Sequence, residues 1–167
     1  MLIQQKTGNL NALIVNNRHI DWLPLEWYET NKRILRKQTL AGNHLALKFL
    51  DKDPALAQGD ILYEDHHSII AVDILPCDVL IIRPASLFEM ASVCYEIGNK
   101  HLPLFFEKEE VLVPFDMPLF RLLSIQGYVV KQDKRKLLYP LKTTVAPHGN
   151  NNSSLFSKIM QLTNSGL

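Results

Sequence analysis

The sequence has little cysteine, little net charge and no long hydrophobic run. Only Cys77 and Cys94 are cysteine, and they form no CxxC pair. That excludes a disulfide-stapled scaffold and a cysteine-built zinc module. The formal net charge is +1, so composition gives no push toward nucleic acid or an anionic membrane. No apolar run approaches the roughly 20 residues that a membrane helix needs. No glycine-rich phosphate loop, HExxH or GxSxG motif occurs, which removes the commonest signatures of nucleotide binding, zinc proteolysis and serine hydrolysis. The opening MLIQQKTGNL lacks the apolar stretch of an export signal. A cytoplasmic location with free thiols is therefore expected.

What is present fits a globular protein. Hydrophobic residues make up 47% and charged residues 21% of the 167, enough for one ordinary domain or two small ones. Residues 1–75 read as strands and turns. Arg33-Ile34-Leu35-Arg36 and Leu45 to Leu50 are partly alternating apolar segments, separated by Ala41-Gly42-Asn43 and followed by Asp51-Lys52-Asp53-Pro54. Ile61-Leu62-Tyr63 and Ile69 to Val72 flank Glu64-Asp65-His66-His67-Ser68, the pattern of a hairpin tip. A small all-β domain is expected here, helped by its neighbour.

The pattern changes near Pro76. Asp78 to Arg83 reads as a buried strand, and Ser86-Leu87-Phe88-Glu89 as a capping box that opens a helix. Leu87, Met90, Ala91, Cys94 and Tyr95 recur at helical spacing, and Gly98 is expected as the left-handed residue that ends the helix. Leu104 to Glu107 pairs with Val111 to Val113. Asp116 caps a second helix with Pro118 in its first turn, and Gly127 ends it. A last strand starts at Tyr128 and continues through Arg135 to Leu138. The order strand, helix, strand, strand, helix, strand is the split βαβ, or ferredoxin-like, order. The expected class is α+β: an all-β domain over 1–75, a ferredoxin-like domain over 76–147 and a flexible tail over 148–167. Within that tail, residues 155–160 have the pattern of one short helix.

Chemistry-bearing residues are few. His101 stands in Gly98-Asn99-Lys100-His101-Leu102-Pro103, after the first helix and before a strand. Two readings of it stand. It complements helix carbonyls as a hydrogen-bonding or protonated side chain, or it is a neutral imidazole ligand for Ni²⁺, Cu²⁺ or Zn²⁺. One nitrogen is a weak site, whereas two brought together on a dimer twofold make a transferable one. His66 and His67 are adjacent at the hairpin tip and face opposite ways, a poor arrangement for chelation. His19 and His44 have no recognisable partners. His148 follows Pro147 in the polar tail, from which it is able to swing toward His101. Cys94 falls on the apolar stripe of its helix and reads as a buried structural thiol. Asp116 is accounted for as a cap. Nothing assembles a nucleophile, base and oxyanion site, so no enzyme activity is expected. Lys131, Lys134, Arg135 and Lys136 surround Asp133 and read as a solvated strand face.

Three stretches carry a close resemblance: Trp22-Leu23-Pro24-Leu25-Glu26-Trp27-Tyr28-Glu29, Leu56-Ala57-Gln58-Gly59-Asp60, and Tyr95 to Pro103. They resemble the UreE family of urease accessory proteins, nickel metallochaperones, over residues 1 to about 149. The last stretch matches the family's GNRHxP signature with Lys100 where Arg is usual. The resemblance implies an N-terminal β domain of the peptide-binding type and a ferredoxin-like domain for metal binding and dimerisation. It implies a homodimer in which His101 of each subunit meets at the interface to hold Ni²⁺, with Zn²⁺ or Cu²⁺ possible in its place. It implies delivery to the urease accessory GTPase and the urease apoprotein, with no nucleic-acid or membrane partner. Many relatives have a His-rich C-terminal tail. Here the tail is rich in Asn and Ser, which leaves His148 as the only nearby tail candidate. The extra histidines that some relatives carry before the second helix are absent from Val113 to Met117. A different reading makes the chain an assembly adaptor that grips a partner peptide at a strand edge of residues 1–75, with metal incidental.

Overall fold

The structure is a computed structural model that describes residues 1–50 and 54–141. Seven strands come first: β1 (Leu2–Ile3), β2 (Gly8–Asn9), β3 (His19–Leu25), β4 (Ile34–Gln38), β5 (His44–Lys48), β6 (Asp60–Glu64) and β7 (Ser68–Ile74). They form two sheets, ordered β1-β5-β4 and β2-β6-β7-β3. β1 runs parallel to β5 and β3 parallel to β7, while the other pairs are antiparallel. Alternation along each strand sends Leu23, Leu25, Leu45, Leu47, Ile70 and Val72 into one shared core between the sheets. β7 is covered on its other face too, where Ile69 and Ala71 meet Ile61 and Trp22. The expected hairpin tip is present. Asp65 accepts from the His67 and Ser68 N–H groups at 2.7 Å each, which holds its carboxyl down to about 2.

The Leu56 to Asp60 motif is a structural knot. Gly59 has φ +78°, and a Cβ there would lie 3.4 Å from the Asn9 side chain. The contact is an ordinary one, and it is the left-handed backbone that calls for glycine. Buried Asp60 accepts from the Ala57 N–H, the Asn9 amide and the Lys6 ammonium at 2.9 Å each. The Gln58 amide accepts from the Ile74 N–H and donates to Asp73. These bonds tie the loop before β6 to the ends of β2 and β7.

The second half holds β8 (Cys77–Ile82), α1 (Leu87–Asn99), β9 (Phe105–Glu107), β10 (Glu110–Pro114), α2 (Met117–Ile125) and β11 (Val130–Arg135). The sheet order is β11-β8-β10-β9 with every pair antiparallel, as the split βαβ order requires. The last strand is shorter than expected at both ends, because Tyr128 closes the turn after α2 and Leu137 leaves the ladder to pack at the junction. Val79 to Ile82 of β8 are an unbroken apolar run because both faces of the strand are covered there. Leu80 and Ile82 pack under the helices with Val93, Ile97, Leu119 and Leu123. Val79 and Ile81 face the other way, toward Phe105, Leu137 and Trp27. Trp27 also packs on the first core and meets Phe105 edge-on at 5.9 Å. Lys136 pairs with Asp73 across the same junction.

The chain then doubles back. Phe106 donates its N–H to the Tyr139 carbonyl at 3.0 Å, and Leu141 donates to the Leu104 carbonyl at 2.7 Å. Tyr139 to Leu141 thus covers the edge of β9. The proposed tail over 148–167, with its short helix and His148, lies outside the described residues.

Candidate metal centre

His101 sits at the end of α1. The helix starts as expected: the Ser86 hydroxyl accepts from the Glu89 N–H at 3.1 Å. The Glu89 carboxylate reaches back one residue further than a capping box requires and takes the Ala85 N–H at 2.7 Å. The end of the helix differs from expectation. Gly98 is not left-handed; it lies within the helix, which runs to Asn99. The left-handed residue is His101, with φ 53°. Its N–H donates to the Gly98 carbonyl at 3.0 Å, and the Leu102 N–H donates to the Ile97 carbonyl at 3.3 Å. This pair of bonds is the Schellman ending with His101 in the place usually taken by glycine. The physical reason is Leu102. Its side chain packs on the core that contains Ile97, the apolar contact that accompanies this motif. That contact fixes the reversal at residue 101, whichever side chain stands there.

A left-handed non-glycine residue costs roughly 1–2 kcal/mol. Strain of this kind concentrates at functional positions. The backbone of His101 turns away from the helix, and its residue is exposed to solvent. Its N–H, not its imidazole, satisfies the Gly98 carbonyl.

The outer face of α1 leads toward this histidine. Leu87, Phe88 and Tyr95 are 86%, 79% and 70% exposed, although the helix interior is well packed through Val93 and Ile97. Ala91 and Gly98 are also exposed. A Cβ placed on Gly98 would meet nothing within 4 Å. Among the described residues nothing requires a glycine there, and glycine inside a helix costs about 1 kcal/mol relative to alanine.

The other expected residues are dispersed. Among the described residues no group of three or more His, Cys, Asp or Glu side chains gathers as a ready-made metal site. His66 and His67 are exposed in the tip held by Asp65. His44 is exposed on β5 and His19 at the start of β3. Cys94 is half-buried, contacts the Met90 sulfur at 3.9 Å, and has its thiol pushed up by burial. Burial, then Glu26 and Asp78, push up the Cys77 thiol. Both favour the inert thiol over the nucleophilic thiolate. Asp116 accepts from the Leu119 N–H at 2.7 Å, as a cap should. On the basic strand face, Lys131 pairs with Asp133 at 2.9 Å and Arg135 with Glu107 at 3.3 Å. His101 is likewise exposed and stands alone, with no such group gathered around it among the described residues. A divalent metal of the Ni²⁺ or Zn²⁺ type takes four or more donors, so one imidazole is by itself an incomplete donor set for such an ion. Sequence reading placed the left-handed residue at Gly98 and missed it at His101; the signal lay in Leu102, the apolar residue that follows.

The chain matches two family profiles, "UreE urease accessory protein, N-terminal domain" over residues 3–75 and "UreE urease accessory protein, C-terminal domain" over residues 77–142. Curated relatives share the match. The "Urease accessory protein UreE" of Flavobacterium johnsoniae is 45% identical over 163 residues, 97% of this chain and 99% of that one. The protein of the same name from Haemophilus influenzae is 38% identical over 149 residues, 87% of this chain and 80% of that one. That of Helicobacter acinonychis is 37% identical over 156 residues, 91% and 92% of the two chains. With both halves matched in order and nearly the whole length covered, the chain belongs to the UreE family, whose members are urease accessory proteins and not enzymes.

Proposed function

We propose that this chain is a nickel carrier for urease assembly, working as a homodimer in which two His101 imidazoles, one per copy, hold one Ni²⁺. The observation that carries the reading is the strained, exposed His101 at the end of an uncovered apolar helix face. Burying Phe88 and Tyr95 against a second copy supplies the apolar contribution that association needs. Gly98 lies between them and the histidine, so two helices are able to approach closely there. Twofold symmetry then brings one imidazole from each side to the same point. Two nitrogens leave coordination positions open, and an incompletely coordinated ion is easier to hand on. Zn²⁺ and Cu²⁺ accept the same donors.

His148 is the proposed assisting ligand. Leu141 is anchored beside Leu104, three residues past His101. The seven residues from Leu141 to His148 reach at most about 24 Å when extended, more than the span back to the histidine. In this reading residues 76–147 bind metal and dimerise, and residues 148–167 form the tail. Residues 1–75 grip a peptide of a partner. Delivery runs to the accessory GTPase and then to the urease apoprotein, in the cytoplasm. Nickel titration by calorimetry, with the oligomeric state measured alongside, tests the site. One ion per two chains is expected for the wild type and none at this site for His101→Ala. Unchanged stoichiometry and affinity in the variant would sink the interface site.

A further inference from the structure

β4 is the outer strand of the sheet β1-β5-β4, with β5 on one side only. Thr39 donates its N–H to the Asn43 carbonyl, and Phe49 to that of Arg33. By alternation Leu35 and Lys37 also bond inward to Leu47 and Leu45, opposite which they lie. Ile34, Arg36 and Gln38 therefore aim their main-chain N–H and C=O groups away from the sheet. No turn or cap hydrogen bond among the described residues uses these groups. The side chains of the same three residues are exposed on the outer face.

Among the described residues, the outer strands β1 and β2 are only two residues long, and three further edges are closed or balanced. Tyr139 to Leu141 covers β9. β3 contains Pro24, and its Trp22 carbonyl accepts from the Leu40 N–H. β11 carries Asp133 between its cations, paired with Lys131. β4 is regular and five residues long, without proline or acid, and its Ile34 is 67% exposed.

We propose that the β4 edge takes an acidic, extended segment of a partner protein as an added strand. Charge selects this occupant. None of the residues of β1, β4 and β5 is acidic. Lys37 is used by Glu29 at 2.8 Å, but Arg36 and Lys48 make no ion pair among the described residues. An incoming carboxylate opposite Arg36 gains a cross-strand partner, and an apolar residue two positions away covers Ile34. A second copy of β4 is a poor occupant, because its own cations would face these. The chain's own residues 142–167 contain no Asp or Glu, so the segment comes from another protein. The inference deepens the peptide-gripping role proposed for residues 1–75 and does not depend on nickel.

The test uses the full chain and two labelled peptides of alternating apolar and charged residues, one with acids and one with lysines at the charged positions. Fluorescence anisotropy reads affinity, and amide hydrogen exchange reads the site. The acidic peptide is expected to bind saturably and to slow exchange at Ile34, Arg36 and Gln38. Arg36→Glu is expected to weaken binding by about tenfold or more. Arg36→Pro deletes an N–H that β5 does not use, and is expected to abolish binding while the rest of the sheet keeps its protection. Equal or tighter binding of the lysine peptide, or protection elsewhere in residues 1–75, would overturn the β4 assignment and leave the gripping role standing. Absence of any binding by either peptide would overturn both.

Discussion

His101 and Gly127 occupy the same position in two copies of one helix-ending motif. Each is left-handed, at φ 53° and 84°. Each sends its N–H to the carbonyl three residues back, while the following residue donates to the carbonyl five residues before it. α2 ends on the residue that backbone physics prefers, and α1 ends on one that it does not.

Replacing His101 by Gly is therefore expected to strengthen the fold while removing the proposed ligand. The gain should be about 1 kcal/mol. Urea unfolding at a protein concentration low enough to exclude association, paired with nickel titration, checks both halves. A destabilised His101→Gly protein would mean that the imidazole makes contacts that hold the fold.

Gly98→Ala is expected to stabilise the isolated chain by about 0.8–1 kcal/mol, since the new methyl meets nothing. If two copies pack across this face, the same methyl weakens their association. Sedimentation velocity should then show a lower dimer fraction, and nickel binding should fall with it. An unchanged dimer would show that the face bearing Gly98 is not the contact.

A chain that stops after Pro147 keeps the Leu141 anchor and loses His148. Nickel affinity is expected to drop by about tenfold, one weak donor's share. His148→Ala in the full chain should reproduce the drop. If truncation weakens binding and His148→Ala does not, some other part of the tail is responsible.

Acid should loosen the first domain through Asp21. Burial raises the carboxyl, but bonds from Thr39, Asn43 and the Ala41 N–H outweigh it and hold the group below its ordinary 3.8. A depressed folded value means that this stabilisation is fully present above the unfolded value. It is lost as pH falls through the folded one. Unfolding measured between about pH 6 and pH 2 should show it fading at the acid end. Asp21→Asn should be weaker at neutral pH by about 1 kcal/mol and show a shallower acid slope.

Much of the fold was legible. Alternation located β4 to β7, and the βαββαβ order followed from β8, the Ser86 cap, the hairpin around Lys108 and the Asp116 cap. The parallel pairings of β1 with β5 and β3 with β7 were not legible, because strands pair through main-chain hydrogen bonds, and side-chain alternation carries no trace of partner or direction. The end of α1 misled for a related reason. Gly98 has the right backbone freedom for a helix stop, yet the stop was decided by where Leu102 reaches the core beside Ile97. Local preference lost to packing there. The left-handed backbone of His101 and the uncovered helix leading to it became visible only in three dimensions.

Trp27 has one further consequence. Its indole packs on the first core and on the sheet beneath β8 at once, with the Asp73–Lys136 pair beside it. Neither half is able to melt without stripping contacts from the other. The expected thermogram is one cooperative peak in place of two, with tryptophan emission shifting at the same temperature. A chain built this way is expected to pass a pull on one half into the other through these shared contacts.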